Sequence, residues 1–198
     1  SVVQTASITS MSIAMLAILA GGAEPFKALP QHAERLLTQY EPMIERLAGG
    51  SWERVFFLGM GPFYGVANEA MLKMKEAALV DCDAFHTLEF RHGPSALVDQ
   101  KTLIVGLLGP QTARHESRLL AEMHQNGATV ISFSENPQTL PDSIQQINLQ
   151  AGLGPMAQAI LYQPLLQLLA IYRAQLRGIN PDHPRNLTPF VHIDEDLT

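Results

Sequence analysis

Apolar and polar positions change their pattern near residue 50. Before that point two helix-length blocks, Thr5–Ala20 and Pro30–Leu47, predict two helices joined by a glycine-rich turn. After it, short apolar runs alternate with segments of helical period, which is typical of strands and helices following one another. The predicted strands are Arg54–Met60, Asp83–His86, Thr102–Leu108, Thr129–Phe133 and Ser143–Leu149, the last having the weakest pattern.

Helices are expected between these strands. The predicted helices are Phe63–Leu79, Ala113–Asn126 before Gly127, and Met156–Leu176, which Pro164 should kink or restart. Residues 88–97 should form a turn or a short helix. The alternation predicts an α/β fold, a three-layer αβα sandwich with a mainly parallel sheet, preceded by the two helices. Residues 1–50 would form the helical segment and residues 51–198 the domain.

A polar stripe is expected on the helix that follows the first strand. Glu69, Lys73 and Glu76 stand at i, i+4 and i+7 and share one helical face, and His92-Gly-Pro94 follows sixteen residues after Glu76. Two carboxylates, an ammonium and an imidazole suit proton transfer on a small polar substrate. Because the helix follows a glycine turn, the stripe is expected at the carboxyl end of the sheet, where open α/β folds bind ligands.

Three motifs resemble the sugar isomerase (SIS) domain family. They are Leu58-Gly-Met-Gly61, the segment from Glu69 through Glu76 to His92-Gly-Pro94, and Pro184-Arg-Asn-Leu187. The chain looks most like the second SIS domain of glucosamine-6-phosphate synthase and of related deaminases and deglycases. The resemblance implies a flavodoxin-like fold. It also implies that residues 1–50 link to a first SIS domain and that 51–198 are the C-terminal SIS domain.

The same resemblance implies roles for the polar residues. Glu76 would be the base that moves a proton between C1 and C2 of an open-chain sugar phosphate. His92 would assist ring opening in the site of a neighbouring subunit, so a homodimer with a shared site is expected. Glu69 and Lys73 would position the sugar.

Spacing alone leaves plainer interpretations open. Glu76 could be an ordinary surface glutamate, and Glu69 with Lys73 a helix-stabilising pair worth about 0.3–0.5 kcal/mol. His92 could be a loop histidine held by its glycine and proline. His86, Glu89 and His92 form a poor set of metal ligands, so no metal is expected.

The sequence departs from the family pattern at three places. Pro189 stands near where the synthase has a lysine that forms an imine with the keto sugar. Ala6 occupies a position where relatives often carry Lys or Arg. The turn Gly61-Pro62-Phe63-Tyr64 lacks the Ser and Thr donors of the phosphate loop in the first SIS domain. A complete phosphate site is therefore not expected on this chain.

Composition narrows the possible partners. The net charge is −6 and no basic cluster appears, which argues against nucleic acid as a partner.

The single cysteine, Cys82, fits a reducing, cytoplasmic location and is expected to be buried. Residues 1–23 are uncharged but carry many hydroxyl groups, so a helix buried between domains or subunits is favoured over a membrane span. No Gly-x-Gly-x-x-G motif with a downstream acid occurs, so no redox cofactor is expected.

Two functions remain open on the sequence. The first is the C-terminal SIS half of a phosphosugar isomerase, deaminase or deglycase that acts on an amino- or amine-substituted hexose 6-phosphate by acid–base enolisation. The alternative is a catalytically silent SIS module that binds a phosphosugar or mediates dimerisation in a regulator.

Overall fold

Five short parallel strands form a sheet in the structure, a computed structural model in which residues 3–187 are described. The strands lie in the order β2-β1-β3-β4-β5, which is the flavodoxin-like order. Every neighbouring pair is parallel, so the predicted α/β class and parallel sheet are confirmed. The strands are β1 Arg54–Gly59, β2 Asp81–His86, β3 Thr102–Leu107, β4 Thr129–Ser134 and β5 Gln145–Asn148.

Helices cover both faces of this sheet. The α-helices are α1 Ala6–Leu19, α2 Leu29–Ala48, α3 Pro62–Ala78, α4 Ala113–Gln125 and α5 Pro155–Leu176. Short 3-10 helices span Glu24–Phe26, Glu89–His92 and Pro94–Leu97. The last two flank Gly93, as the break around the His-Gly-Pro motif predicts.

The side chains of β1 show why three layers form. Val55 and Phe57 point into a core shared with α2, α3 and α5. Phe56 and Leu58 point into a second core on the other side, shared with α4. A strand covered on both faces must be apolar at successive positions, and β3 is likewise buried along its whole length. The three-layer sandwich is therefore confirmed.

Helix α5 runs unbroken from Pro155 to Leu176 with Pro164 inside it. The alternative in which the helix restarts at Pro164 is wrong. Thirteen of its residues are buried, against α2 and α3 among others. This packing stabilises the helix although the proline removes one backbone hydrogen bond.

Helix α1 leaves an apolar surface uncovered. Met11, Met15, Ile18 and Leu19 are 56–75% exposed, and no residue of this helix is buried. Gln167 of α5 donates hydrogen bonds to the Thr5 carbonyl and to Thr9 Oγ1, both at 3.3 Å, and so holds the start of α1. This helix was expected to be buried, but the described residues 3–187 leave much of it exposed. No helix among these residues is long and apolar enough to cross a membrane.

A buried carboxylate connects two loops at the carboxyl edge of the sheet, the one after β2 and the one after β3. Glu116 of α4 is fully buried. It accepts hydrogen bonds from Thr87 Oγ1 at 3.0 Å, the Gly109 amide at 2.9 Å and Thr112 Oγ1 at 2.8 Å. Burial raises the pKa of Glu116, while the three donors act in the opposite direction.

Replacing Glu116 by Gln should change how stability depends on pH. Because the pKa of Glu116 is raised in the folded protein, the protonated carboxyl contributes stability below the ordinary value of 4.5. That contribution is lost as the pH rises through the folded pKa. The free energy of unfolding of Glu116→Gln, relative to the wild type, should therefore rise between pH 4.5 and neutrality. Each pH unit in which only the folded state holds the proton contributes about 1.4 kcal/mol.

Urea unfolding at a series of pH values measures this difference. Glu45→Gln, on the exposed side of α2, is the control and should follow the wild type at every pH. Parallel pH profiles for Glu116→Gln and the wild type would contradict the prediction.

Candidate functional site

A tight glycine turn directs the chain from β1 into α3. A Cβ atom on Gly59 would lie 2.5 Å from the Phe63 carbonyl oxygen, so a side chain there would collide with backbone. Gly61 has φ +55° and ψ −128°, a conformation that other residues rarely adopt. The motif Leu58-Gly-Met-Gly61 therefore allows the helix to begin directly after the strand.

Helix α3 buries a lysine between two carboxylates. The Lys73 Nζ atom lies 2.7 Å from Glu76 Oε2 and 3.4 Å from Glu69 Oε1. The Lys73 side chain is only 4% exposed, whereas those of Glu69 and Glu76 are 19% and 24% exposed. The predicted stripe therefore exists, and its cation lies deeper than its anions. Val66, Ala70, Met74 and Ala77 form the buried side of the helix, as predicted.

The pKa of Glu69 depends on its burial and on the charges of Lys73 and Glu76. Burial raises the pKa of Glu69, the nearby Lys73 ammonium lowers it, and the charge of Glu76 raises it again. One oxygen of Glu69 is buried without a hydrogen bond in the described part of the chain. The two carboxylates compete for a single ammonium. Two carboxylates and one ammonium are groups of the kind that can take part in proton transfer to a small polar substrate.

A small cavity of about 110 Å³ opens beside Lys73. Segments from both ends of the chain line it. They supply Thr5 before α1, Gln167 from α5, and Pro181 with Asp182 after α5. Lys73 lines this cavity, so a small polar ligand bound in the cavity would contact Lys73.

Two further residues beside the stripe, Gln163 and Gln167, lie outside the motifs that the sequence singles out. Both are nearly buried polar residues on α5, four positions apart, and both face the stripe across a narrow cleft with Lys73 and Glu69. Two glutamines at helical spacing inside an otherwise apolar helix are a signal that the sequence does contain. Gln167 also holds α1 in place, so it connects the stripe to the start of the chain.

The stripe was expected at the carboxyl edge of the sheet, and this expectation is wrong for most of the stripe. Helix α3 starts at that edge and runs back toward the amino ends of the strands. At 1.5 Å per residue, Glu76 lies about 21 Å along the helix from Pro62. The stripe therefore faces α5, and Glu76 is closer to the amino edge.

A separate hollow occupies the carboxyl edge itself, between the ends of β1 and β3. It has a volume of about 240 Å³ and includes Gly61, Gly109 and Thr112. The Thr112 hydroxyl is already donated to Glu116. The turn from Gly61 to Tyr64 contains no Ser or Thr and supplies no hydroxyl to this hollow.

The short segment that carries His92 packs on the side of the sheet opposite the stripe. Its neighbour Phe90 is buried in the core shared with α4, and Arg91 pairs with Glu122 of α4 at 2.6 Å. The His92 side chain is exposed. A single chain therefore does not bring His92 to Glu76, and no hydrogen bond joins them within residues 3–187.

The remaining candidates are settled by burial or lie outside the described residues. Cys82 is buried with its Sγ atom 3.4 Å from the Met71 carbonyl oxygen, and burial raises the pKa of this thiol to about 12. It is therefore a poor nucleophile at neutral pH. No three His, Cys, Asp or Glu residues of the described chain are grouped as metal ligands. Pro189 lies beyond the described residues.

Comparison with known proteins identifies one domain family. The SIS domain profile matches residues 51–174. Among curated proteins, the glutamine–fructose-6-phosphate aminotransferase (isomerizing) of Buchnera aphidicola is 31% identical over 175 residues, which is 87% of this chain and 28% of that protein. The chain thus spans little more than a quarter of this relative.

Two solved structures share the fold over nearly the whole chain. Tagatose-6-phosphate ketose/aldose isomerase from Escherichia coli superposes with a TM-score of 0.84 at 28% identity, covering 98% of this chain and 55% of the other. Glucosamine-6-phosphate deaminase from Thermotoga maritima gives a TM-score of 0.74 at 30% identity, covering 92% and 56%. About half of each of these chains has no counterpart here.

Proposed function

The chain belongs to the SIS domain family, and on that premise we propose that it is the C-terminal SIS half of a phosphosugar isomerase, deaminase or deglycase. Its substrate would be an amino- or amine-substituted hexose 6-phosphate. The observation that carries this proposal is Lys73, enclosed between Glu69 and Glu76 beside a cavity. A buried cation costs free energy, and a plain helix-stabilising pair would not need to be buried.

Glu76 acts as the general base in this proposal. Its carboxylate removes the proton from the carbon next to the sugar carbonyl and returns it to the neighbouring carbon. The Lys73 ammonium, 2.7 Å away, fixes the orientation of the carboxylate and offers positive charge where the enolate oxygen develops. Glu69, the other carboxylate at Lys73, completes the positioning of the sugar.

His92 serves the site of a second subunit in this proposal. Its exposure, and the packing of neighbouring Phe90 on the α4 side of the sheet, support a role in the site of another copy. A homodimer would place it there. The uncovered apolar side of α1 supports further burial of this kind, by a preceding SIS domain or by a second subunit.

Whether the protein forms an imine with the sugar depends on the lysines of this chain. Lys73 is held by two carboxylates, and Lys75 and Lys101 are paired with Asp83 and Glu53. The sequence has Pro189 where the synthase has its imine-forming lysine. Enolisation without a protein imine fits a substrate that carries its own nitrogen, which favours deamination or deglycation. The similarity to a protein named glucosamine-6-phosphate deaminase agrees with this choice.

A substrate panel on the full-length protein tests the proposal. The panel contains 6-phosphorylated amino sugars and fructosamines, each with its unphosphorylated form as the control. We expect turnover of at least one phosphorylated member and little of its control. Binding of a phosphosugar without turnover of any member would instead support the silent regulatory module.

A further inference from the structure

A second polar hollow lies far from the stripe, on the outer side of α4. It has a volume of about 460 Å³ and opens between the first turns of α4 and the loop that follows β4. The residues that line it are Arg114, Ser117, Arg118, Ala121, Gln138 and Thr139. None of them carries a negative charge, although the whole chain has a net charge of −6.

The two arginines at this hollow have no carboxylate partner. Arg114 and Arg118 stand four positions apart on one face of α4, and neither forms a salt bridge among the described residues. Glu122, one turn after Arg118, pairs with Arg91 instead. Two arginines at this helical spacing bring like charges near each other, and an anion between them would relieve that repulsion.

Ser117 gives an independent indication of a ligand. Ser117 lines the hollow, and only 7% of its surface is exposed. Its hydroxyl has no hydrogen-bond partner in the described chain. A buried hydroxyl without a partner costs about 1–3 kcal/mol. An oxyanion between the arginines would accept a hydrogen bond from this hydroxyl. The site also lies in the first turns of α4, where the helix dipole favours negative charge.

We propose that Arg114, Arg118 and Ser117 form a second anion site, one that binds the phosphoryl group of a small phosphorylated metabolite. Arginine forks match the geometry of phosphate oxygens, and the hollow has room for more than the phosphoryl group. The site holds no general base, so it binds without chemistry. It does not depend on the proposed function of the Glu76 stripe.

Equilibrium dialysis with radiolabelled inorganic phosphate tests this site in the full-length protein. The double variant R114Q/R118Q should weaken phosphate binding at this site by roughly tenfold or more, because it removes two charge-assisted contacts. S117A should weaken it less, because it removes one hydroxyl donor and no positive charge. Chloride at equal ionic strength corrects for general screening.

A matched variant controls for net charge. R46Q/R177Q removes two exposed arginines elsewhere and should leave phosphate binding unchanged. E76Q, in the proposed reaction site, should also keep this binding, so failure of the proposed function and failure of the anion site are distinguishable. Equal phosphate binding by R114Q/R118Q and R46Q/R177Q would overturn the proposal.

Discussion

Glu76→Gln is expected to lower turnover by about 10²–10⁴-fold in the full-length protein, the usual effect of losing a positioned general base. The amide keeps the size of the side chain, and its oxygen can still accept the hydrogen bond from Lys73 that spans 2.7 Å in the wild type. Substrate binding should therefore survive. Steady-state kinetics on the substrate found by the panel would show a fall in kcat with little change in KM.

Two controls separate catalysis from stability. Glu45→Gln makes the same change at an exposed position of α2 and should retain full turnover. Thermal unfolding of Glu76→Gln should stay close to that of the wild type, because Glu76 is partly exposed and Lys73 keeps Glu69 as a partner. Turnover within a fewfold of the wild type would exclude Glu76 as the base.

Mixed dimers of two inactive variants are expected to regain activity. If Glu76 and His92 of different subunits form each site, a dimer of one Glu76→Gln chain and one His92→Asn chain has one site with both changes and one with neither. Such a dimer should show about half of the wild-type turnover, whereas each parent homodimer has no intact site. Co-expression with two different affinity tags allows the mixed dimer to be isolated.

The alternative outcome is equally clear. If each chain supplies both residues of its own site, the mixed dimer contains no intact site and stays as inactive as its parents. Because Phe90, two residues before His92, packs in the α4 core on the side of the sheet opposite the stripe, we expect the first outcome. A monomeric full-length protein by light scattering would also contradict the shared site.

The strands and helices could be predicted from the sequence because local pattern determines them. The predicted strand Thr102–Leu108 is one residue longer than β3, and the helix expected before Gly127 ends at Gln125, with Gly127 at φ +102°. The start of β2 is difficult to predict from the sequence, because only the second half of this strand has an apolar pattern. In its first half, exposed Asp81 and Asp83 stand on either side of buried Cys82. Edge strands such as β2 have one side without a partner strand, and their patterns are weaker for that reason.

The site was only partly predictable, because spacing gives the helical face but not what lies opposite it. Glu69, Lys73 and Glu76 share a face as the i, i+4, i+7 rule requires. That this face meets Gln167 and the start of α1 depends on contacts between distant segments. The side of the sheet on which His92 lies depends on Phe90, whose burial in the α4 core no local rule specifies.

The uptake of deuterium from solvent into the substrate shows whether Glu76 is the base that moves the proton. In D₂O, a base that removes a proton from C1 or C2 and exchanges it with solvent leaves deuterium at that carbon, which NMR detects without any net reaction. We expect incorporation with the wild type and with Glu45→Gln, and its loss with Glu76→Gln. Incorporation at an undiminished rate with Glu76→Gln would show that Glu76 is not the base.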